Sequence, residues 1–321
     1  MASRSIPIVR RLIAGVLLAG LLSLVLATRT HAGQPLRVVA SFSVLADMAG
    51  VLGGDHVEVV ELVPRGGDAH TFEPSPQTMQ RLARAQLLVS NGLGFESWLP
   101  RLLKSANYQG EQVVASHGVR PRPLMADADA HTESAHGHDG HEHEGKWDPH
   151  AWHDLKNGMA YARNISRALS DLDPAHAPYY QARLLHYVEE MEALDARLLT
   201  TFEALPACCR HAVTAHDAFA YFGQAYGLTF ITAAGLSGEA EPSAKDVARL
   251  VDLARSHDRV GLFTETGSNP NLMRQLALET SAPLGGPLYA DTLAPEGEPA
   301  GTYLGMVDWN ASQIMQILKP D

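Results

Sequence analysis

Four short stretches of this chain set a metal-ligating side chain beside a turn. They are Asp68-Ala-His70-Thr-Phe-Glu-Pro, Asp148-Pro-His150-Ala-Trp152, Thr214-Ala-His216-Asp-Ala-Phe219 and Leu288-Tyr-Ala-Asp291-Thr-Leu. Three imidazoles and one carboxylate suit tetrahedral zinc, whose bonds to nitrogen are about 2.0–2.1 Å long. Imidazole ligates in its neutral form, so each histidine must first release its proton. Each stretch is weak evidence alone. A single histidine near a strand end is more often a hydrogen-bonded polar residue, and a single aspartate more often a turn or cap residue. The flanks add weight: Gly66-Gly67 allows a tight turn before His70, and Pro149 stiffens the approach to His150. A closed set of four would hold a metal. A three-histidine set with Asp291 standing off would leave room for a water and for zinc-dependent hydrolysis or hydration.

The chain has 16 histidines, and seven of them fall between His131 and His153. Residues 126–146 contain Ala, Asp, Glu, Gly and His but no Leu, Ile, Val or aromatic residue. Such a segment has too little apolar surface to order itself and is expected to be a loop. His131, His136, His138, His141 and His143 on it form a second, weaker metal-binding tract close to His150.

The elements that must position these residues alternate. Strands are expected at Leu36–Ser41, Val57–Val63 and Leu87–Ser90, and helices at Val44–Leu52, Gln77–Ala85, Gly94–Lys104 and Asp154–Leu172. From His176 to Leu205, apolar residues recur in steps of three and four without a Gly or Pro break, which predicts one amphipathic helix roughly 45 Å long. Strands at His211–Thr214, Leu228–Thr232 and Val260–Phe263 follow, with helices at Val247–Ala254, Leu272–Leu278 and Gly305–Leu318. Strands alternating with helices predict mainly parallel sheets, whose ligand loops lie at the carboxyl ends of the strands. Gly92-Leu-Gly94-Phe-Glu-Ser97 superficially resembles a dinucleotide fingerprint but reads better as a turn, with Glu96 and Trp98 supporting the metal loops. His153 is read as a surface residue or one supporting the ligands.

The chain has 321 residues, 45% of them hydrophobic, and a formal net charge of -11. That length allows about two domains. The acidic balance argues against nucleic acid as a partner. The adjacent Cys208 and Cys209 are the only cysteines, so neither a disulfide framework nor a cysteine-rich zinc finger can be built. Arg4, Arg10 and Arg11 precede an apolar run from Leu12 to Ala27, followed by small residues near Ala32. That pattern predicts a signal peptide over 1–32. With no cysteine after the run, the expectation is a soluble, exported, periplasmic protein without a lipid anchor. The further expected divisions are an N-terminal α/β lobe at 33–173, a linking helix at 174–205 and a C-terminal α/β lobe at 206–321.

The motifs Gly67-Asp68-Ala-His70-Thr-Phe-Glu73-Pro74-Ser75-Pro76, Asn91-Gly-Leu-Gly94-Phe-Glu96-Ser-Trp98, Asp148-Pro-His150-Ala-Trp152 and His216-Asp-Ala-Phe-Ala-Tyr221-Phe222 occur in this order, followed by Tyr226-Gly227. Glu241-Pro-Ser-Ala-Lys245, Gly301-Thr-Tyr-Leu-Gly-Met306 and Asn310 complete the series. Together they resemble the zinc/manganese solute-binding proteins of ABC importers, the ZnuA/TroA-like family, over essentially the whole chain after residue 32. The resemblance implies two α/β lobes, each with a mainly parallel sheet flanked by helices. One long rigid helix would join them, with the metal between the lobes. It implies His70, His150, His216 and Asp291 as ligands, no enzymatic activity, and delivery of metal to an inner-membrane permease with a cytoplasmic ATPase. A monomer is expected. Family members with glutamate in place of His216 tend to take manganese, so the resemblance points to Zn²⁺ ahead of Mn²⁺. The stretch Ala215-His216-Asp217-Ala-Phe219 is similar to the zinc binder of the AztABC importer, the AztC type, which would add a periplasmic zinc metallochaperone as a partner.

Overall fold

The computed structural model describes residues 34–124, 147–232, 244–257 and 259–320. The expected leader and the histidines from His131 to His143 lie outside the described residues, as does Glu241. All elements fall within residues 36–321.

The first lobe is a parallel sheet of β1 (Leu36–Ala40), β2 (Val57–Glu61), β3 (Leu87–Ser90) and β4 (Glu111–Val114), in the order β2-β1-β3-β4. The central β1 and β3 are buried almost throughout, as a parallel sheet covered by helices requires. Those helices are α1 (Ser43–Gly53), α2 (Pro76–Arg84), α3 (Leu99–Ser105) and α4 (Leu155–Leu172). Ser75 and Thr78 form a capping box that starts α2, and Asp154 caps α4 by accepting from Lys156 N.

α5 (Ala177–Glu203) follows, with 27 residues, or about 40 Å at 1.5 Å per residue. Its Tyr180, Tyr187, Met191, Leu194, Leu198 and Phe202 are buried along one face. The second lobe repeats the plan with β5 (His211–Thr214), β6 (Thr229–Thr232), β7 (Val260–Glu265) and β8 (Leu284–Leu288), all parallel in the order β6-β5-β7-β8. Its helices are α6 (Ala220–Tyr226), α7 (Ala244–Ser256), α8 (Asn271–Thr280) and α9 (Tyr303–Leu318). One core cluster crosses both lobes and includes Phe42, Trp152, Phe202, Phe219 and Tyr303.

The expected helix at Gly94–Lys104 is corrected: helical structure begins only at Leu99. Gly92, Leu93 and Gly94 all have positive φ, which no right-handed helix tolerates, and the turn they make wraps Glu96. Edge strands β4 and β8 and the short helix α6 were not among the expected elements.

Candidate metal centre

His70, His216 and Asp291 lie on connections that follow strands β2, β5 and β8, whereas His150 lies just after the isolated Pro123–Trp147 bridge and just before α4. His70 lies on the connection after β2. Its backbone N–H donates to Asp68 Oδ1 at 2.7 Å, and Thr71 Oγ1 donates to Asp68 Oδ2 at 3.1 Å. Trp98 Nε1 donates to Ala69 O at 2.8 Å, and the Phe95 ring meets the His70 ring edge-on at 4.7 Å. His150 is fully buried. Asp148 Oδ1 accepts from its backbone N at 3.0 Å and lies 2.9 Å from its Nδ1. That contact leaves Nε2 as the ligating nitrogen. Glu96 secures the same loop from behind. It accepts from Ser41 Oγ at 2.6 Å, Asn91 N at 2.6 Å and Gly92 N at 3.2 Å, while Asn91 Nδ2 donates to Pro149 O at 2.9 Å. Glu96 and Trp98 thus support both first-lobe loops.

His216 follows β5. The last residue of β7, Glu265, accepts from Ala215 N at 2.5 Å and His216 N at 3.2 Å, and its Oε2 lies 2.5 Å from His216 Nδ1. Asp291 follows β8. The carbonyl before it, Ala290 O, accepts from Trp152 Nε1 and from His153 Nε2, each at 3.1 Å. His153 is therefore buried and holds the Asp291 loop rather than meeting solvent.

The Nε2 atoms of His70 and His150 are 3.3 Å apart. Asp291 Oδ1 is 3.3 Å from His150 Nε2, and its Oδ2 is 3.3 Å from His216 Nε2 and 3.6 Å from His70 Nε2. Ligand atoms of a regular tetrahedron about zinc are separated by about 3.3–3.4 Å, given bonds of about 2.0–2.1 Å. Donor atoms of His70, His150 and Asp291 lie within 4.8 Å of one another, and His216 joins this group through Asp291. His216 Nε2 and Asp291 Oδ1 are buried and make no hydrogen bond despite these short separations. Atoms so placed are costly unless a cation binds them.

Charge follows the same geometry. Burial raises the Asp291 carboxyl, but His150 and His216 outweigh it and hold the group well below the usual carboxylate range. Burial lowers His150, and Asp291 and Asp148 overcome that and raise it to about 9. Burial also opposes charge on His216, and Glu265 and Asp291 push it well above the usual range. His153, buried and next to His150, falls to about 3 and stays neutral, with Nε2 as the donor to Ala290 O. Without metal, protons on His150 and His216 balance the carboxylates that a cation would otherwise balance.

Glu265 has no place in the sequence-based reading, in which that strand stops at Phe263. The available signal was an acid ending the apolar run Val260-Gly-Leu-Phe-Thr-Glu265. Asp148 was legible as part of a motif but not as the partner of His150. Carboxylates that orient ligating imidazoles typically contribute about 10–100-fold in metal affinity. Glu265→Gln is accordingly expected to weaken Zn²⁺ binding by about 10–100-fold, read by competition with a chromophoric chelator. An unchanged affinity would remove Glu265 from the centre.

A family model described as ZnuA, zinc-uptake complex component A, periplasmic, matches residues 38–317. The chain is 31% identical over 306 residues to the metal ABC transporter substrate-binding lipoprotein FimA of Streptococcus parasanguinis, with 94% of each chain covered. It is 30% identical over 307 residues to the manganese ABC transporter substrate-binding lipoprotein PsaA of Streptococcus pneumoniae, again with 94% of each covered. Among solved structures, the periplasmic zinc binding protein TroA of Treponema pallidum superimposes with a TM-score of 0.78 at 26% identity, covering 90% of this chain and 100% of that one. FimA and PsaA are named lipoproteins, which overturns the expectation of a soluble protein without a lipid anchor. That expectation rested on a missing cysteine in the leader. An extracytoplasmic location is what remains supported.

Proposed function

Because the chain belongs to the ZnuA family of periplasmic zinc-uptake components, the metal-binding part of an ABC importer, we propose that its cargo is Zn²⁺, held by His70, His150, His216 and Asp291. The observation that carries this reading is that Asp291 lies 3.3–3.6 Å from the Nε2 atoms of all three histidines. Imidazole suits zinc, whereas manganese favours oxygen-rich sets. PsaA is named for manganese and TroA for zinc, so this choice rests on the donors of this chain. Membrane permease and ATPase partners follow from the importer family. Within it, metal is bound and passed on, with no bond of a substrate made or broken.

The test is a competition titration of Zn²⁺ against Mn²⁺ on the protein, repeated with residues 130–145 deleted. One tight Zn²⁺ site surviving the deletion, with Mn²⁺ bound far more weakly, is expected. Mn²⁺ bound as tightly as Zn²⁺ would overturn the zinc reading. Weaker sites lost with the deletion would belong to His131, His136, His138, His141 and His143.

Binding should also displace protons. With His150 at about 9 and His216 raised well above its usual range, both carry a proton at pH 7 in the metal-free protein. Zinc must displace those protons, so protons leave on binding and apparent affinity rises with pH through the neutral range. The sign is fixed by the raised values: ligands near 6.5 would give a curve already flattening at pH 7 to 8. Calorimetry in buffers of different ionisation enthalpy reads the proton count directly. Release of no protons at pH 7 would contradict the charge arrangement.

A further inference from the structure

We infer that the four donors divide three to one, with Asp291 belonging to the first lobe's half-site and His216 as the detachable ligand that Glu265 positions. The inference rests on the four side chains being the ligands. Asp291 is reached through β8 of the second lobe, yet its surroundings are tied to the first. Trp152 and His153 hold Ala290 O. Gly66 N donates to Thr292 Oγ1 at 2.8 Å, and Leu293 N donates to Ser43 Oγ at 2.9 Å. Arg65 Nη1 donates to Ala294 O and, at 2.9 Å, to Gly301 O. Tyr303 N donates to Asp47 Oδ2 at 2.8 Å. Gly66 has a φ of +79°, which a glycine adopts without strain and which turns its N–H onto Thr292.

The residue before these ties has the opposite allegiance. Tyr289 N donates to Asn310 Oδ1 at 2.9 Å, and Asn310 Nδ2 returns a bond to Tyr289 O at 2.7 Å. The hydrogen bonds to the first lobe on this segment thus begin at Ala290, while Tyr289 is bonded to α9, a helix that itself starts at the first-lobe contact of Tyr303. His216 is anchored through its hydrogen bonds in the second lobe, and its ring meets His150 at 5.6 Å. Its backbone and ring are held by Glu265, and among the described residues no hydrogen bond ties it to the first lobe. It also stands outside the group of His70, His150 and Asp291 whose donor atoms are within 4.8 Å. The contacts that cross nearby run through other residues: the Phe219 ring meets the His153 ring at 4.8 Å, Arg122 Nη1 donates to Gln224 Oε1, and the Tyr221 hydroxyl on α6 accepts from Arg122 N at 2.9 Å and donates to Asp148 O at 3.2 Å. A displacement of the second sheet therefore strains Tyr221 and withdraws His216, leaving a three-donor half-site intact.

The experiment is a double-mutant cycle on Zn²⁺ affinity with His216→Ala and Asp291→Ala, accompanied by stopped-flow release to a chelator. If the half-site is real, His216→Ala speeds release, and Asp291→Ala still costs at least about tenfold in the His216→Ala background. If Asp291 left with His216 as one unit, it would cost less than about twofold there, the range of no coupling loss, and the inference would be overturned. Asp291→Asn, which keeps the shape of the side chain, must give the same pattern and guards against a folding artefact. Two single variants with unchanged affinity would overturn the ligand assignment itself, a result distinct from the previous one.

Discussion

Replacing His150 by Ala is expected to lower Zn²⁺ affinity by about a hundredfold to a thousandfold. A structural zinc site is worth about 10–16 kcal/mol over four ligands, so one ligand accounts for about 3 kcal/mol, and each 1.4 kcal/mol is tenfold. His150 should sit at or above the middle of that range. It is fully buried, it touches both His70 and Asp291, and its loss strands the Asp148 carboxylate in the interior. The neighbouring His153, three residues away, has its Nε2 committed to Ala290 O. Titration against a chelator of known affinity checks this. An affinity within threefold of the unmutated protein would show that the metal sits elsewhere.

The largest effect on stability is expected at Trp152. Its side chain is completely buried and packs against Phe42 at 4.9 Å, Phe95 at 5.1 Å and His150 at 5.3 Å. Its indole N–H holds Ala290 O, and its carbonyl accepts from the Tyr303 hydroxyl at 2.6 Å. A Cβ at Gly158 would collide with that hydroxyl, so the bare glycine on α4 is what admits Tyr303. Trp152→Ala should cost about 3–5 kcal/mol in denaturant unfolding, from lost burial and a cavity. Trp152→Phe keeps most of the packing and loses the hydrogen bond, and should cost clearly less, with about 1–3 kcal/mol for the carbonyl left to His153 alone. Equal costs for the two would mean that packing at this position is unimportant. Both variants should weaken zinc binding, because Ala290 precedes Asp291.

The repeated strand–helix rhythm was readable because its central strands are short, apolar and β-branched. Leu36-Arg-Val-Val-Ala and Leu87-Leu-Val-Ser are buried on both faces and need no alternation. The edge strands β4 and β8 carry no such mark, unlike the edge strands β2 and β6. Glu111-Gln-Val-Val114 is largely exposed, and Leu284-Gly-Gly-Pro-Leu288 lacks strand formers, so only pairing to a neighbour makes them strands. α6 is short and interrupted by Gly223, which sits against Leu228 O and leaves no helical stripe to detect. The four candidate donors were legible from residue type, and His70, His216 and Asp291 also from their place after strands. Their supports were not, since Glu265 meets His216 across 49 residues and a lone acid ending a strand resembles any turn. The lobe to which Asp291 is tied was also hidden. It depends on hydrogen bonds such as Gly66 to Thr292, which span 226 residues and have no local pattern.

The central claim is that three imidazoles and a carboxylate hold zinc together, and zinc K-edge X-ray absorption of the loaded protein lacking residues 130–145 tests it most directly. The expected spectrum shows a shell of nitrogen and oxygen at about 2.0–2.2 Å, no sulfur, and outer-shell scattering from three imidazoles that falls to two in the His150→Ala variant. A sulfur shell near 2.3 Å, which would implicate Cys208 and Cys209, or a first shell without imidazole scattering, would contradict it.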